Sequence, residues 1–296
     1  MDPSLAAVVA SLARDVSMAL LIVNADDYGL TAGVNRGIEL AHNRGIVTST
    51  SAMVNQPASE QVASLSARHA ELGVGLHLTF TAGTPVLDPA TVPTLVDEEG
   101  RFWPRNTLVR RLERREVDPD NLRREALAQL ERLTAFGVAP DHWNVHQHLQ
   151  EWLPVAVSTA HAMREGGLSV CRTSRRYTLT ATPRERAVEA VRTARRHRAL
   201  RELTRFHRTP DRLMDLDPSR WGRALPALPK GRIVEALCHP GERGDVDLAL
   251  TAAKLADTRA TELEALLDPT LREALATAGV TLATFAQAFR AVRWRS

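Results

Sequence analysis

Four short polar islands in this chain carry residue types that one hydrolytic metal site could unite. They are Asn24-Ala25-Asp26-Asp27-Tyr28-Gly29, Gly75-Leu76-His77, Asp141-His142-Trp143-Asn144-Val145-His146-Gln147-His148 and Cys238-His239-Pro240-Gly241. Adjacent carboxylates and several imidazoles are costly to bury unless they share a task, and one divalent cation with a base and an acid beside it supplies such a task. Asp26 and Asp27 cannot both ionise cheaply without a cation. A metal would hold one as ligand and leave the other as base. The competing reading is a tight turn, which Asp-Asp-Tyr-Gly also suits. His77 shares a strand face with Gly73, Gly75 and Thr79, which leaves open space beside it, although a core histidine with a partner would read the same way. His142, Asn144, His146 and His148 recur at period two, so one strand would show all four on one face. Neutral imidazole suits Zn²⁺ and similar ions, and a histidine-rich surface loop is the alternative. His239 precedes a Pro-Gly turn signal and gains weight from standing, like the others, just after an apolar run. Nucleophile-elbow, Walker-type and dinucleotide glycine motifs are absent, as is a His-Glu-x-x-His helix.

These islands need strands to position them. Ala19 to Asn24 is a continuous apolar run, as in a strand buried on both faces. The pattern then predicts a helix over Val34 to Asn43, a strand over Ile46 to Asn55, a helix over Ala58 to His69 and a strand over Gly73 to Thr79. After a Pro-rich loop come a helix over Asn121 to Phe136, a strand over His142 to Val145, a helix over Pro154 to Glu165 and a fifth strand over Leu168 to Arg172. A strand over Ile233 to Leu237 follows. Helices near Leu248 to Leu267 and Pro269 to Ala278, a short strand at Val280 to Leu282 and a last helix from Thr284 end the chain. This alternation predicts one α/β domain, a mainly parallel sheet or barrel with outer helices, with ligands at the carboxyl ends of the strands. Residues 1–18 read as an N-terminal extension without the basic start of a signal peptide. The Arg-rich, Pro-interrupted stretch 173–230 reads as an insertion in the domain over 19–296, and part of a lid.

The bulk numbers agree with one large domain: 296 residues, 44% hydrophobic. Net charge is only +3 from 38 basic and 35 acidic residues, and aromatics are 4%. Nucleic acid is therefore not an expected partner, and the basic run Arg192 to Arg208 reads as a solvated helix face or mobile loop, with an anionic substrate or a membrane surface as the alternative. No run reaches the ~18–20 apolar residues of a membrane span, so stable membrane insertion is not expected. Cys171 and Cys238 lack disulfide or metal spacing and read as buried thiols of a cytoplasmic protein.

The stretches LIVNADDYGLT (21–31), RGIVTSTSAMVN (44–55), LGVGLHLT (72–79), PDHWNVHQHL (140–149) and ALCHPGE (236–242) resemble the YdjC/ChbG-type carbohydrate deacetylases, which include the HpnK-like proteins. The resemblance runs from about residue 19 to 290 and is weakest over 173–230. It implies a (β/α) barrel-like fold and metal-dependent removal of an N-acetyl group from a sugar or glycoconjugate. It also implies Asp27, His77 and His146 as metal ligands, Asp26 as base, and His239 as acid or substrate contact. Asn144 stands where the family often has Asp, and Gln150 where it often has His. His142 and His148 then read as groups that orient ligands or substrate, and Trp143 and Trp152 as sugar-packing or core residues. The ion expected is Zn²⁺, with Ni²⁺, Co²⁺, Mn²⁺ or Mg²⁺ also accepted by such a set. Other expectations are an esterase or phosphoester hydrolase on the same site, an inactive carbohydrate binder, and a homo-oligomer.

Overall fold

A computed structural model describes residues 19–176, 196–215 and 228–291. The proposed N-terminal extension 1–18 and the segments 177–195 and 216–227 of the expected insertion lie outside these residues.

The first strand, β1 (Ala19–Tyr28), is buried along its whole length. Its side chains alternate between two cores. Leu21, Val23 and Ala25 join the larger outer core with Val34, Ile38 and Ala41 of the following helix, α1 (Ala32–Asn43), whereas Leu20 and Ile22 face the smaller inner one. A strand buried on both faces must be apolar throughout, which is what the ALLIV run encodes. β2 (Ser49–Ala52) follows, shorter than its apolar pattern suggested. The expected helix after it is a 3₁₀ segment (Ser59–Ser64) running into the single turn α2 (Leu65–Arg68). Then come β3 (Gly73–Leu78), α3 (Arg105–Glu113), α4 (Pro119–Ala135), β4 (Trp143–Val145) and α5 (Leu153–Glu165).

A helix over 196–206, α6, leads to β5 (Arg212–Asp215), a strand that the Arg-rich pattern concealed. β6 (Ile233–Cys238), α7 (Val246–Leu266), α8 (Thr270–Thr277), β7 (Val280–Leu282) and α9 (Phe285–Ala291) complete the described residues.

The sheet runs β4-β3-β2-β1-β6-β5, with every pairing parallel and β7 beside the start of β1. The expected fifth strand survives as single bridges. Trp143 pairs with Cys171, and Arg176 pairs with Leu213 of β5. These carry the pairing from one sheet edge round to the other, so the sheet curls into a half-barrel with helices outside. Among the described residues, no helix is long and apolar enough to cross a membrane.

Candidate metal centre

The polar residues gather at the carboxyl end of the half-barrel. Asp26 and Asp27 both face it because β1 breaks its alternation there. The β1–β2 register goes from Ala25↔Thr50 to Tyr28↔Ala52, leaving two residues of β1 against one of β2. Asp27 takes a left-handed φ of 71° at this bulge. Gly29 then turns the chain at φ +99°. A Cβ there would lie 2.7 Å from the Met53 carbonyl oxygen, so the turn needs glycine.

His77 comes from β3, and its Nε2 lies 3.0 Å from Asp27 Oδ1. His146 follows β4, and its Nδ1 is 3.1 Å from the same oxygen and 3.2 Å from His77 Nε2. Three ligand atoms this close have the spacing of neighbours about 2.0–2.2 Å from one ion. Two further observations fit a cation. Asp27 Oδ1 is buried and accepts no hydrogen bond among the described residues. The Nδ1 of His77 donates to Asn144 Oδ1, which leaves the Nε2 lone pair aimed at the cluster. Asp27 Oδ2 is held by the buried Arg259 of α7. Burial pushes the Asp27 carboxyl up, but Arg259 and then His146 hold it well below the usual carboxylate range.

Asp26 is held differently. Its Oδ1 accepts from Asn24 (2.9 Å), Ser51 (2.8 Å), Asn144 (3.2 Å) and Arg172 (2.7 Å). Among the described residues its Oδ2 has one donor, Arg172 Nη1 at 2.6 Å, which leaves a lone pair. Burial works to raise its pKa, yet Arg172 and then His77 keep Asp26 ionised. Asn144 thus links the two aspartates, orienting His77 through one atom and Asp26 through the other.

His239 stands at the end of β6. Its backbone N–H donates to Glu262 at 2.6 Å and its Nδ1 lies 3.9 Å from the same carboxylate oxygen. His148 is reached by a backbone that leaves the strand. Gln147 and His148 have φ of 55° and 56°, and β4 ends at Val145. Burial, Arg172 and Arg176 hold His148 neutral well below its usual pKa.

The four-residue strand face expected from period two is therefore corrected: β4 ends at Val145, His146 reaches the ring of His77 from the start of a 3₁₀ segment, and His148 is the second of a left-handed pair of residues. His142 sits deeper, bonded to Asp141 at 2.6 Å and stacked on Phe285, away from the three ligand atoms. Of its two readings, sugar-packing or core, Trp143 takes the core one. It is fully buried on the opposite face, edge-on to His207, and offers no surface to a sugar. Trp152 is partly buried beneath Arg105. The reading from sequence missed Arg172, Arg259, Ser51 and Glu235. An arginine ending the apolar Leu-Ser-Val-Cys run and an acid inside Ile-Val-Glu-Ala-Leu-Cys were available signals. Arg259 lies in an ordinary-looking helix and gave none.

The half-barrel and its polar mouth define a parallel α/β scaffold with a candidate Asp-His-His cation site at the strand ends. The chain belongs to the YdjC-like family, whose model, described as YdjC-like protein, matches residues 20–277. It is 37% identical to a carbohydrate deacetylase of Geobacillus stearothermophilus over 91% of this chain and 98% of that one. It is 32% identical to a chitooligosaccharide deacetylase of Serratia marcescens, over 90% and 98%. A crystal structure of a protein from Enterococcus faecalis V583 superposes with a TM-score of 0.74 at 25% identity, covering 91% of this chain and 98% of that one.

Proposed function

We propose that this protein is a metal-dependent carbohydrate deacetylase that hydrolyses the N-acetyl group of an amino-sugar-containing substrate. Family membership and full-length relatives named as carbohydrate deacetylases support the activity. The observation that carries the metal dependence is the meeting of Asp27 Oδ1, His77 Nε2 and His146 Nδ1 within 3.0–3.2 Å. One carboxylate and two imidazoles suit Zn²⁺. A divalent cation held there would polarise the acetyl carbonyl and make a bound water more acidic.

The protein's own groups do the rest. Asp26 takes the water's proton at Oδ2, the oxygen with a free lone pair, while Arg172, Asn24, Ser51 and Asn144 keep the carboxylate from turning. His239, backed by Glu262, donates a proton to the departing amine. Acetate and the free amino sugar result. His148, neutral and partly buried at the mouth, contacts the substrate. The two cysteines are free and buried, which suits a reducing cytoplasm.

The test is acetate release from N-acetylated sugars by the wild type and Asp27→Ala, with and without chelator. Chelation or the substitution should each lower turnover at least a hundredfold, with activity of the wild type restored by added Zn²⁺. Turnover unchanged by both would overturn the assignment.

A further inference from the structure

Glu235 is a fully buried carboxylate that the proposed reaction does not use. It stands mid-strand in β6, opposite Ile22 of β1, where an apolar side chain would be expected. A buried carboxylate in a barrel wall needs a partner, and although Glu235 Oε2 accepts no hydrogen bond among the described residues, Oε1 has one. That partner is Arg172, itself 1% exposed. Its Nε and Nη2 both lie 2.7 Å from Glu235 Oε1. The other edge of the same guanidinium serves Asp26, with Nη1 2.6 Å from Oδ2 and Nη2 2.7 Å from Oδ1. Two carboxylates thus occupy two edges of one planar cation and fix its plane. A long arginine side chain held by Asp26 alone could rotate, and Asp26 would then lose the partner of Oδ2 and keep only the Oδ1 bonds from Asn24, Ser51 and Asn144.

We propose that Glu235 is a positioning residue for Asp26: it anchors Arg172, and through Arg172 it holds the base in its working orientation. This rests on the reading of Asp26 as base in the deacetylase. Glu235 has no role of its own in the chemistry, so its contribution must vanish when Arg172 can no longer bridge.

The experiment is a double-mutant cycle of Glu235→Gln and Arg172→Lys. Lysine keeps the charge but lacks the fork that grips two carboxylates. Activity is read as acetate release from an N-acetylglucosamine disaccharide, together with bound Zn²⁺ per chain. Glu235→Gln, which nearly preserves shape, should lower kcat roughly 10- to 100-fold, the scale of a misplaced reacting group. KM and bound metal should stay within about twofold, the expected limit for a change that alters orientation and not binding. In the Arg172→Lys background the same substitution should cost less than about twofold. Equal cost in both backgrounds, or no cost in either, would overturn the proposal. A crystal structure of Glu235→Gln gives a readout without turnover: the two-bond pairing of Arg172 with Asp26 should be lost or rotated. Should Arg172→Lys fail to fold, or the wild type release no acetate from any N-acetylated sugar, that structure decides. An Arg172 still paired through both nitrogens would sink the idea, and in the inactive case the deacetylase reading falls separately.

Discussion

Asp27 shows how one residue's backbone sets the chemistry. A side chain in the left-handed region costs on the order of 1–2 kcal/mol outside glycine, and Asp tolerates it better than most. That strain turns the Asp27 carboxylate toward His77 and His146, where straight β1 geometry would send it to the outer core. The sequence allowed both aspartates to share a cleft, but nothing in Asp-Asp-Tyr-Gly distinguishes a bulge from a simple turn. The period-two glycines of β3 were more legible: they leave room for a neighbour. At Gly75 the neighbour is the His142 ring, which a Cβ would overlap. His142 cannot give way, because Phe285 stacks on its far side at 3.7 Å. Gly75→Ala should therefore destabilise the fold by about 1–3 kcal/mol, as overpacking does. Urea denaturation checks it, and a midpoint equal to wild type would show that the ring is free to move.

At the scale of elements, apolar runs gave β1, β3 and β6 and the long helices, because burial dictates their composition. Features set by tertiary partners were hidden. β5 (Arg212–Asp215) is polar at both ends and holds its place through pairing with β6, so its sequence reads as loop. The chain past Val145 departs from the strand at Gln147 and His148, neither of which is a glycine that would have signalled positive φ. Capping has a consequence between elements. Asp245 caps α7 by accepting from Leu248 N–H at 3.1 Å, and its other oxygen accepts from Thr31, the cap of α1. One carboxylate thus fixes the starts of two helices, and α7 carries both Arg259 and Glu262 to the centre. Asp245→Ala should cost about 1–2 kcal/mol, the upper range for a lost cap. Thr31→Ala should cost less in that background than alone, since the bond the two share is already lost, although the cap on Val34 N–H still goes. Thermal or chemical unfolding of the two single variants and the double variant measures this. Fully additive losses would show that the caps act independently.

Across the whole molecule the half-barrel interior is layered by polarity. Its base is apolar: Leu20, Ile22, Val170 and Ile233 of the wall meet Phe285, Ala288 and Phe289 of the C-terminal helix. Above them lies a polar layer of Asn24, Ser49, His142 and Glu235, all buried, and at the mouth stand Asp26, Asp27 and His77. Closure of the base therefore depends on the last part of the chain returning to its beginning, as β7 does in pairing Val280–Leu282 with Ala19–Leu21. Phe285 is fully buried at this junction, with one face on His142 and Phe289 stacked near it. Truncating it would open a cavity that wall strands, tied by backbone pairing, cannot collapse to fill. Phe285→Ala should then cost about 3–5 kcal/mol, the range for a buried aromatic. The catalytic mouth should be affected far less, because the polar layer separates it from the base. Well below the unfolding transition, kcat/KM should stay within a few-fold of wild type while the denaturation midpoint falls sharply. A stable but inactive Phe285→Ala protein would reverse this division. It would mean that the base of the barrel sets the geometry of Asp26 and His77 through His142.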